Sequence, residues 1–425
     1  MRTFTQPDPS LWPELCRRPL MSAENLSATV QHVLSDVRQN KDEALRRLTL
    51  TFDGVKLTEL TVPYSEISDS RLKLSADLVT AIDQAYRNIL SFHQVQLPSE
   101  QSVETMPGVI CRRLPRPIES VGLYIPGGAA PLFSTVLMLG VPAQVAGCKE
   151  IVLCTPPATD GSIHPAILYA ASCCGISRIV KSGGAQAIAA MAYGTESVPQ
   201  VYKIFGPGNQ YVTRAKQLVA LDGTAIDLPA GPSEVLVIAD RNADPEFVAA
   251  DLLSQAEHGA DSQVVLLADD AGTIAAVQEA VERQLDDLPR KDIARRALQN
   301  SLAIALRDLN ECITFSNVYA PEHLILNTTN AEELLAQVTS AGSVFLGAYS
   351  PESAGDYASG TNHTLPTNGY ARAAAGVSVD SFIRQMTVQR ITAEGLRKLG
   401  PIVETMAQAE TLEAHRRAVS IRLAN

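Results

Sequence analysis

The chain has 425 residues, 46% of them hydrophobic and 19% charged, enough for two or three ordinary domains and typical of a globular α/β protein. Its formal net charge of -11, with no basic stripe to offset it, excludes a nucleic-acid binder and mildly suits a cationic small molecule. The longest apolar run, Val136 to Val141, is far too short to span a bilayer, and Pro7, Pro9 and Pro13 with no apolar core argue against a signal peptide, so a cytoplasmic location is expected. Residues 23–98 then read as mostly helical. Ser22 and Thr29 are candidate caps, and Lys41 to Leu50 has amphipathic spacing. A strand over Gly108 to Leu114 leads into Pro115-Arg116-Pro117.

Beyond that point the pattern alternates. Val121 to Ile125 is a short apolar strand ending in Pro126-Gly127-Gly128, and a helix follows over about 132–146. The strand Ile151 to Thr155, a helix from about Pro165 to Cys174, and the strand Arg178 to Lys181 come next. Gly183-Gly184 opens a helix near Gln186. Tyr202 to Phe205 ends at Gly206-Pro207-Gly208-Asn209 and opens another. Such a βαβαβα series implies a parallel sheet with helices on its faces. A second series begins at Gly231-Pro232-Ser233, with strands Val235 to Ala239 and Gln263 to Ala268. Between them Asp244-Pro245, an N-cap followed by a first-turn Pro, starts a helix running to about Glu257. Helices follow over about 271–285 and from Asp292, and Ser343 to Leu346 is a further strand. From Thr392 the chain reads as helical and polar, broken at Gly400-Pro401. It has no core of its own size and must pack on something, such as a partner subunit.

Two short segments carry the chemistry. Gln255 and His258 lie three apart near the end of the Asp244 helix, so they share a face. An imidazole and an amide oxygen suit a borderline metal, but zinc wants about four ligands, and a pair alone is as well read as a surface accident. Glu322 and His323 follow Pro321, where a helix does not form; they suit acid/base work or a solvated turn. Ser353 to Tyr370 is a polar, Gly-rich stretch too long for an ordinary loop, and it offers Asp356 and His363. His415 lies near Glu410 in a helical stretch. The seven cysteines are irregularly spaced with no CxxC, which reads as reduced, buried thiols. No GxGxxG follows a strand, so the glycine turns at Gly127, Gly183 and Gly206 are either a loose pyrophosphate cradle or plain β-to-α turns.

Taken together, Tyr124-Ile125-Pro126-Gly127-Gly128, Gly183-Gly184-Ala185-Gln186-Ala187, Gly206-Pro207-Gly208-Asn209, Gly231-Pro232-Ser233-Glu234, Gln255-Ala256-Glu257-His258, Ala320-Pro321-Glu322-His323 and Gly355-Asp356-Tyr357-Ala358-Ser359-Gly360-Thr361-Asn362-His363 resemble histidinol dehydrogenase. The resemblance covers about residues 25–425. It implies oxidation of L-histidinol through L-histidinal to L-histidine, with two NAD and one zinc per subunit, at the end of histidine biosynthesis. It implies Gln255, His258, Asp356 and His415 as zinc ligands and Glu322 and His323 as the catalytic pair. Substrate contacts would come from Ser233, His323, Asp356, Glu410 and the metal with its ligands Gln255, His258 and His415, and NAD contacts from Tyr124, Gln186 and Asn209.

The implied fold is α/β, with two Rossmann-like parallel-sheet domains and small helical appendages at both termini. Residues 1–25 form an extension, 26–118 with 234–378 a first domain carrying zinc and catalytic groups, 119–233 a second domain carrying NAD contacts, and 379–425 a helical segment swapped onto the partner of a homodimer. In that arrangement Glu410 and His415 act in trans. Three other readings compete: a same-fold dehydrogenase for another small alcohol such as a sulfonated diol, a zinc hydrolase using Glu322 on metal-bound water, and a non-catalytic ligand-binding protein. Retention of Ser233, Glu410 and His415 favours histidinol.

Overall fold

The computed structural model describes residues 1–18, 24–127, 130–228 and 231–424; Ser22 and Gly128, singled out above, lie outside the described residues. The strands are β1 (Arg2–Thr5), β2 (Gln101–Met106), β3 (Val109–Pro117), β4 (Ser120–Tyr124), β5 (Glu150–Thr155), β6 (Arg178–Lys181), β7 (Lys203–Phe205), β8 (Ala225–Ile226), β9 (Glu234–Ala239), β10 (Gln263–Ala268), β11 (Leu302–Ala305), β12 (His323–Asn327), β13 (Ser343–Leu346) and β14 (Ile383–Ile391). They form a six-stranded sheet ordered β1-β11-β10-β9-β12-β13, a five-stranded sheet ordered β6-β5-β4-β7-β8, and a three-stranded sheet ordered β14-β3-β2. The first two are parallel throughout and the third is antiparallel. This is the expected α/β architecture with two parallel sheets.

Unbroken apolar runs explain the central strands. All of β9 and β10 is buried, which a parallel sheet covered on both faces requires. Successive side chains go to opposite faces. Val235, Val237, Val264 and Leu266 enter one core with the Pro245–Ala256 and Ala271–Leu285 helices. Leu236, Ile238, Val265 and Leu267 enter the other with Phe315 and Tyr319 of the Leu309–Tyr319 helix.

Several expectations are corrected. The extension over residues 1–25, expected as a helical appendage, begins as a strand: β1 pairs with β11 at the sheet edge, and Trp12 packs edge-on against Phe315, ring centroids 5.3 Å apart. The helical part of residues 26–118 packs mainly on the five-stranded sheet, and it touches 234–378 as well, Asn88 Nδ2 donating to the Ala358 carbonyl at 2.8 Å. Val30, Val33, Leu34 and Val37 of the Glu24–Asp53 segment share a core with Val152 and Ile204, and Ile82 and Ile89 of the Ala76–Gln94 helix share one with Val121 and Leu123. The segment after Val379 is not wholly helical, because β14 pairs with β3 from Ile383↔Pro117 to Ile391↔Val109. Nor does Gly400-Pro401 break a helix: Ala393–Ala409 runs through it. The glycine serves close packing instead, since a Cβ there would lie 2.7 Å from Leu423 Cδ1 of the Glu413–Leu423 helix. Among the described residues no helix is long and apolar enough to cross a membrane.

Each parallel sheet reverses its strand order once. β7 returns beside β4 after β5 and β6 have extended the other way, and β12 likewise returns beside β9. Ligands commonly bind where such a reversal opens a crevice beyond the carboxyl ends of the strands. In the five-stranded sheet that end carries Pro126 and Gly206 to Asn209. Gly206 has φ +131°, and a Cβ on it would lie 2.1 Å from the Tyr124 carbonyl oxygen, so only glycine fits where β7 meets β4. The six-stranded sheet contributes its opposite edge: Ser233 precedes β9 and Glu322 precedes β12, both at the amino ends of their strands.

Candidate active site

A cleft of about 780 Å³ lies between these two edges. Pro126, Asn209 and Arg214 border it from the five-stranded side, and Ser233, Gln255, His258, Glu322, His323, Asp356 and His363 from the other.

Glu322 and His323 are both buried, with 5% and 4% of their surface exposed, which removes the solvated-turn reading. One residue on the neighbouring strand holds both. The Glu234 N–H donates to Glu322 Oε2 at 2.9 Å, and its carbonyl accepts from His323 Nδ1 at 3.1 Å. Around the ring stand Glu322 (Oε2 3.7 Å from Nδ1), Glu352 (Oε1 3.9 Å from Nδ1) and Asp356 (Oδ1 3.6 Å from Nε2). The last distance is an ionic contact rather than a hydrogen bond.

Burial is the largest influence on His323 and opposes its charge, but the summed fields of Glu352, Glu322 and Asp356 overcome it and hold its pKa up to about 10. Burial pushes Glu322 and Glu352 up to about 8, against the pull of His323. Burial would also raise Asp356, yet the His323 imidazolium, with His363 and His258 nearby, holds it below the ordinary range.

Gln255 is fully buried at the end of the Pro245–Ala256 helix, and both polar atoms of its amide lack a hydrogen-bond partner among the described residues. His258 lies just past the helix end rather than on it and is exposed. Its Nδ1–H donates to the Ser254 carbonyl at 3.0 Å, which leaves the Nε2 lone pair directed outward. That tautomer is the one a metal-binding histidine adopts. His363 is held by Nδ1–H donation to the Asp356 carbonyl at 2.8 Å and by Thr135 Oγ1 at 3.2 Å from Nε2; burial lowers its pKa. His323, Glu352 and Asp356 form a second donor set whose ligand atoms lie within 4.8 Å of one another.

The remaining anticipated residues are distributed unevenly. Ser233 and Asn209 border the cleft. Asn209 caps the Gln210–Leu221 helix, its Oδ1 accepting from the N–H groups of Tyr211 and Val212. Tyr124 and Gln186 are buried and do not line the cleft; the Tyr124 hydroxyl accepts the Gly184 N–H at 3.1 Å, and burial pushes its pKa up to about 12. Glu410 and His415 are exposed, and this chain does not bring them to its own cleft. All seven cysteines are free thiols and none lines the cleft.

Glu352 was not anticipated. Its signal was its place four residues before Asp356, one turn along the short Glu352–Tyr357 helix, in a stretch that reads as loop from Ser353 onward. Arg18 also borders the cleft, and nothing in its local sequence marks it.

The arrangement is a buried acid/base pair beside a cluster of oxygen and nitrogen donors. Comparison with known proteins gives it a context. The histidinol dehydrogenase family model matches residues 16–423. Histidinol dehydrogenase of Bacteroides thetaiotaomicron is 57% identical over 423 residues, covering 100% of this chain and 99% of that protein. The Escherichia coli enzyme of the same name is 55% identical over 413 residues, covering 96% of this chain and 94% of its own. The crystal structure of histidinol dehydrogenase from Elizabethkingia anophelis superimposes with a TM-score of 0.97 at 56% identity, over 100% of this chain and 98% of that one. With the match running from end to end in both sequence and fold, the chain belongs to the histidinol dehydrogenase family.

Proposed function

We propose that this protein oxidises L-histidinol through L-histidinal to L-histidine, reducing two NAD and holding one zinc per subunit, in histidine biosynthesis. The observation that carries the reading is the double grip of Glu234 on Glu322 and His323, beside Gln255, His258 and Asp356 in one cleft.

The donor set fits zinc. Gln255 Oε1 is a buried acceptor with no partner, His258 presents a free nitrogen lone pair, and Asp356 supplies the anion; these three would hold the ion, with His415 reaching in from a second copy of the chain. The set formed by His323, Glu352 and Asp356 fits less well, since an imidazole kept protonated by three carboxylates has no lone pair to offer. Zinc held by these residues would supply orientation of the substrate's reacting carbon.

The chain's own groups move the protons. His323 takes the hydroxyl proton as hydride leaves the adjacent carbon for NAD. Were Asp356 drawn off as a ligand, one of the three fields that hold the imidazolium would weaken, which would favour the neutral imidazole that this step needs. Water must then add to the aldehyde carbon, and Glu322 takes the proton that this water loses. A carboxyl raised by burial accepts such a proton readily near neutral pH. As water adds, the proton on His323 passes to the former aldehyde oxygen, giving the neutral hydrate; the freed imidazole then takes a hydroxyl proton of the hydrate as the second hydride leaves for NAD, and the acid formed releases its own proton as the carboxylate. Ser233 and the incoming Glu410 would hold the substrate and Asn209, at the cleft border, the NAD; for Tyr124 and Gln186, buried off the cleft, NAD contact rests on the family resemblance alone. The absence of a tight glycine fingerprint suits loose NAD binding.

Two variants test the split of roles. Glu322→Gln should slow L-histidinal oxidation by about 10²–10⁴-fold and leave L-histidinol oxidation much less affected. His323→Asn should slow both. Equal loss of both steps in Glu322→Gln contradicts the assignment. Mixing His258→Ala with His415→Ala subunits tests the shared site: activity absent from either alone should return in the mixture.

A further inference from the structure

We propose that Arg18, delivered by the N-terminal segment, is a positioning residue for the catalytic pair. It rests on the dehydrogenase reading above.

Arg18 is half-buried as a residue, with its side chain 9% exposed. Its Nε donates to Glu234 Oε1 at 3.0 Å and its Nη2 to Oε2 at 2.8 Å. That fork fixes the orientation of the carboxylate, not merely its charge. Nη2 also donates to the Tyr319 carbonyl at 2.8 Å, and the guanidinium carbon Cζ lies over the Tyr319 ring, 3.6 Å from its centroid. Nη1 donates to the Cys16 carbonyl at 3.0 Å, which ties the head group back to its own segment.

Both segments that carry the chemistry pass through this one cation. Glu234 holds Glu322 by its N–H and His323 by its carbonyl. Tyr319 ends the helix that delivers the pair, and the turn after it is unusual: Ala320 has φ +54°, a left-handed conformation costly for alanine. A cation on the last carbonyls of a helix satisfies groups otherwise left open and stabilises the end of the dipole. The Glu234 carboxylate also accepts the Asn368 N–H at 2.7 Å, so a third cleft segment is tied to the same fork. Arg18 itself reaches no reacting atom in this arrangement and acts through Glu234 and the Tyr319 turn.

Its loss should shift the pair by a fraction of an ångström to an ångström without removing any group that touches substrate or metal. Misplacement of that order costs about 10²-fold in rate. Arg18→Met should therefore lower kcat for both L-histidinol and L-histidinal by roughly 10–100-fold, leave KM for L-histidinol within about threefold, and keep zinc content unchanged. Arg18→Lys, which keeps charge but loses the fork, should recover only part of the rate, and added guanidinium ion should restore part of it in Arg18→Met. Glu234→Gln should lose rate as Arg18→Met does, and the double variant should be no worse than the poorer single one. Wild-type enzyme that turns over L-histidinol beside an Arg18→Met enzyme of unchanged kcat would overturn the inference while sparing the function. So would additive losses in the double variant, or a rise in KM with zinc content falling in step with kcat. Wild-type enzyme inert toward L-histidinol would instead overturn the function on which it rests.

Discussion

Glu352 lies one helical turn before Asp356, and their carboxylates face opposite nitrogens of His323, at 3.9 Å from Nδ1 and 3.6 Å from Nε2. The ring is thus clamped between two anions on one short helix, with Glu322 as a third. In Glu352→Gln the largest of the fields that hold the imidazolium is gone. His323 in metal-free protein should then titrate at lower pH than in wild type, as read from its ring resonances by NMR. An unchanged titration would show that Glu352 does not set its proton affinity.

Gln255 gives an opposite signature in stability and metal binding. Its buried amide has no partner, and an unsatisfied buried polar group costs about 1–3 kcal/mol. Gln255→Leu should raise the stability of chelator-treated protein by about 1 kcal/mol in urea unfolding while abolishing the rise in Tm that the proposed zinc site predicts for wild type. A destabilised metal-free variant would mean the amide has structural work of its own.

The turn that presents Asn209 depends on a buried ion pair. Lys216, 1% exposed, pairs with Asp227 and donates to the carbonyls of Gly206 at 2.9 Å and Leu228 at 3.1 Å. The Asp227 carboxylate in turn accepts the Gly206 N–H at 2.7 Å. Lys216→Met leaves that buried carboxylate without its paired cation, with only the Gly206 N–H and the field of Lys203 to offset it, and should cost about 3–5 kcal/mol. Chemical denaturation would check the stability, and KM for NAD should rise alongside as the Gly206 turn loosens.

Asp251 supplies a pH dependence. Burial on the Pro245–Ala256 helix pushes its pKa up to about 7, above the value of about 4 in an unfolded chain. The folded state therefore holds a proton that the unfolded state releases. This contribution to stability is fully present below about pH 4 and is lost as pH rises through about 7. Asp251→Asn should be more stable than wild type at roughly pH 8, by about 1 kcal/mol or more, and should show no such gain at roughly pH 4. Equal Tm differences at both pH values would contradict the raised pKa.

What the sequence made legible follows from which forces leave local traces. Val235 to Ala239 and Gln263 to Ala268 stand out because a strand covered on both faces must be apolar throughout. β12 carries a buried His323 beside Glu322, so its polar start hides a strand of the same sheet. β14 escapes for the opposite reason: lying at the edge of a small sheet, Ile383 to Ile391 is mostly exposed or half-buried and reads as a polar tail. Gln255, His258, Asp356, Glu322 and His323 were all identifiable, but only through seven motifs taken together. Arg18 and Glu352 gain their meaning from contacts across the fold, Arg18 with Glu234 more than two hundred residues away, which no local pattern encodes.

The most direct test is the yield of NADH per L-histidinol consumed, on zinc-loaded protein, on protein stripped with a chelator, and after zinc is returned. The account predicts two NADH per substrate, lost on stripping and restored by zinc. No NADH from L-histidinol while zinc remains bound stoichiometrically would contradict it and move the activity to another alcohol or to hydrolysis.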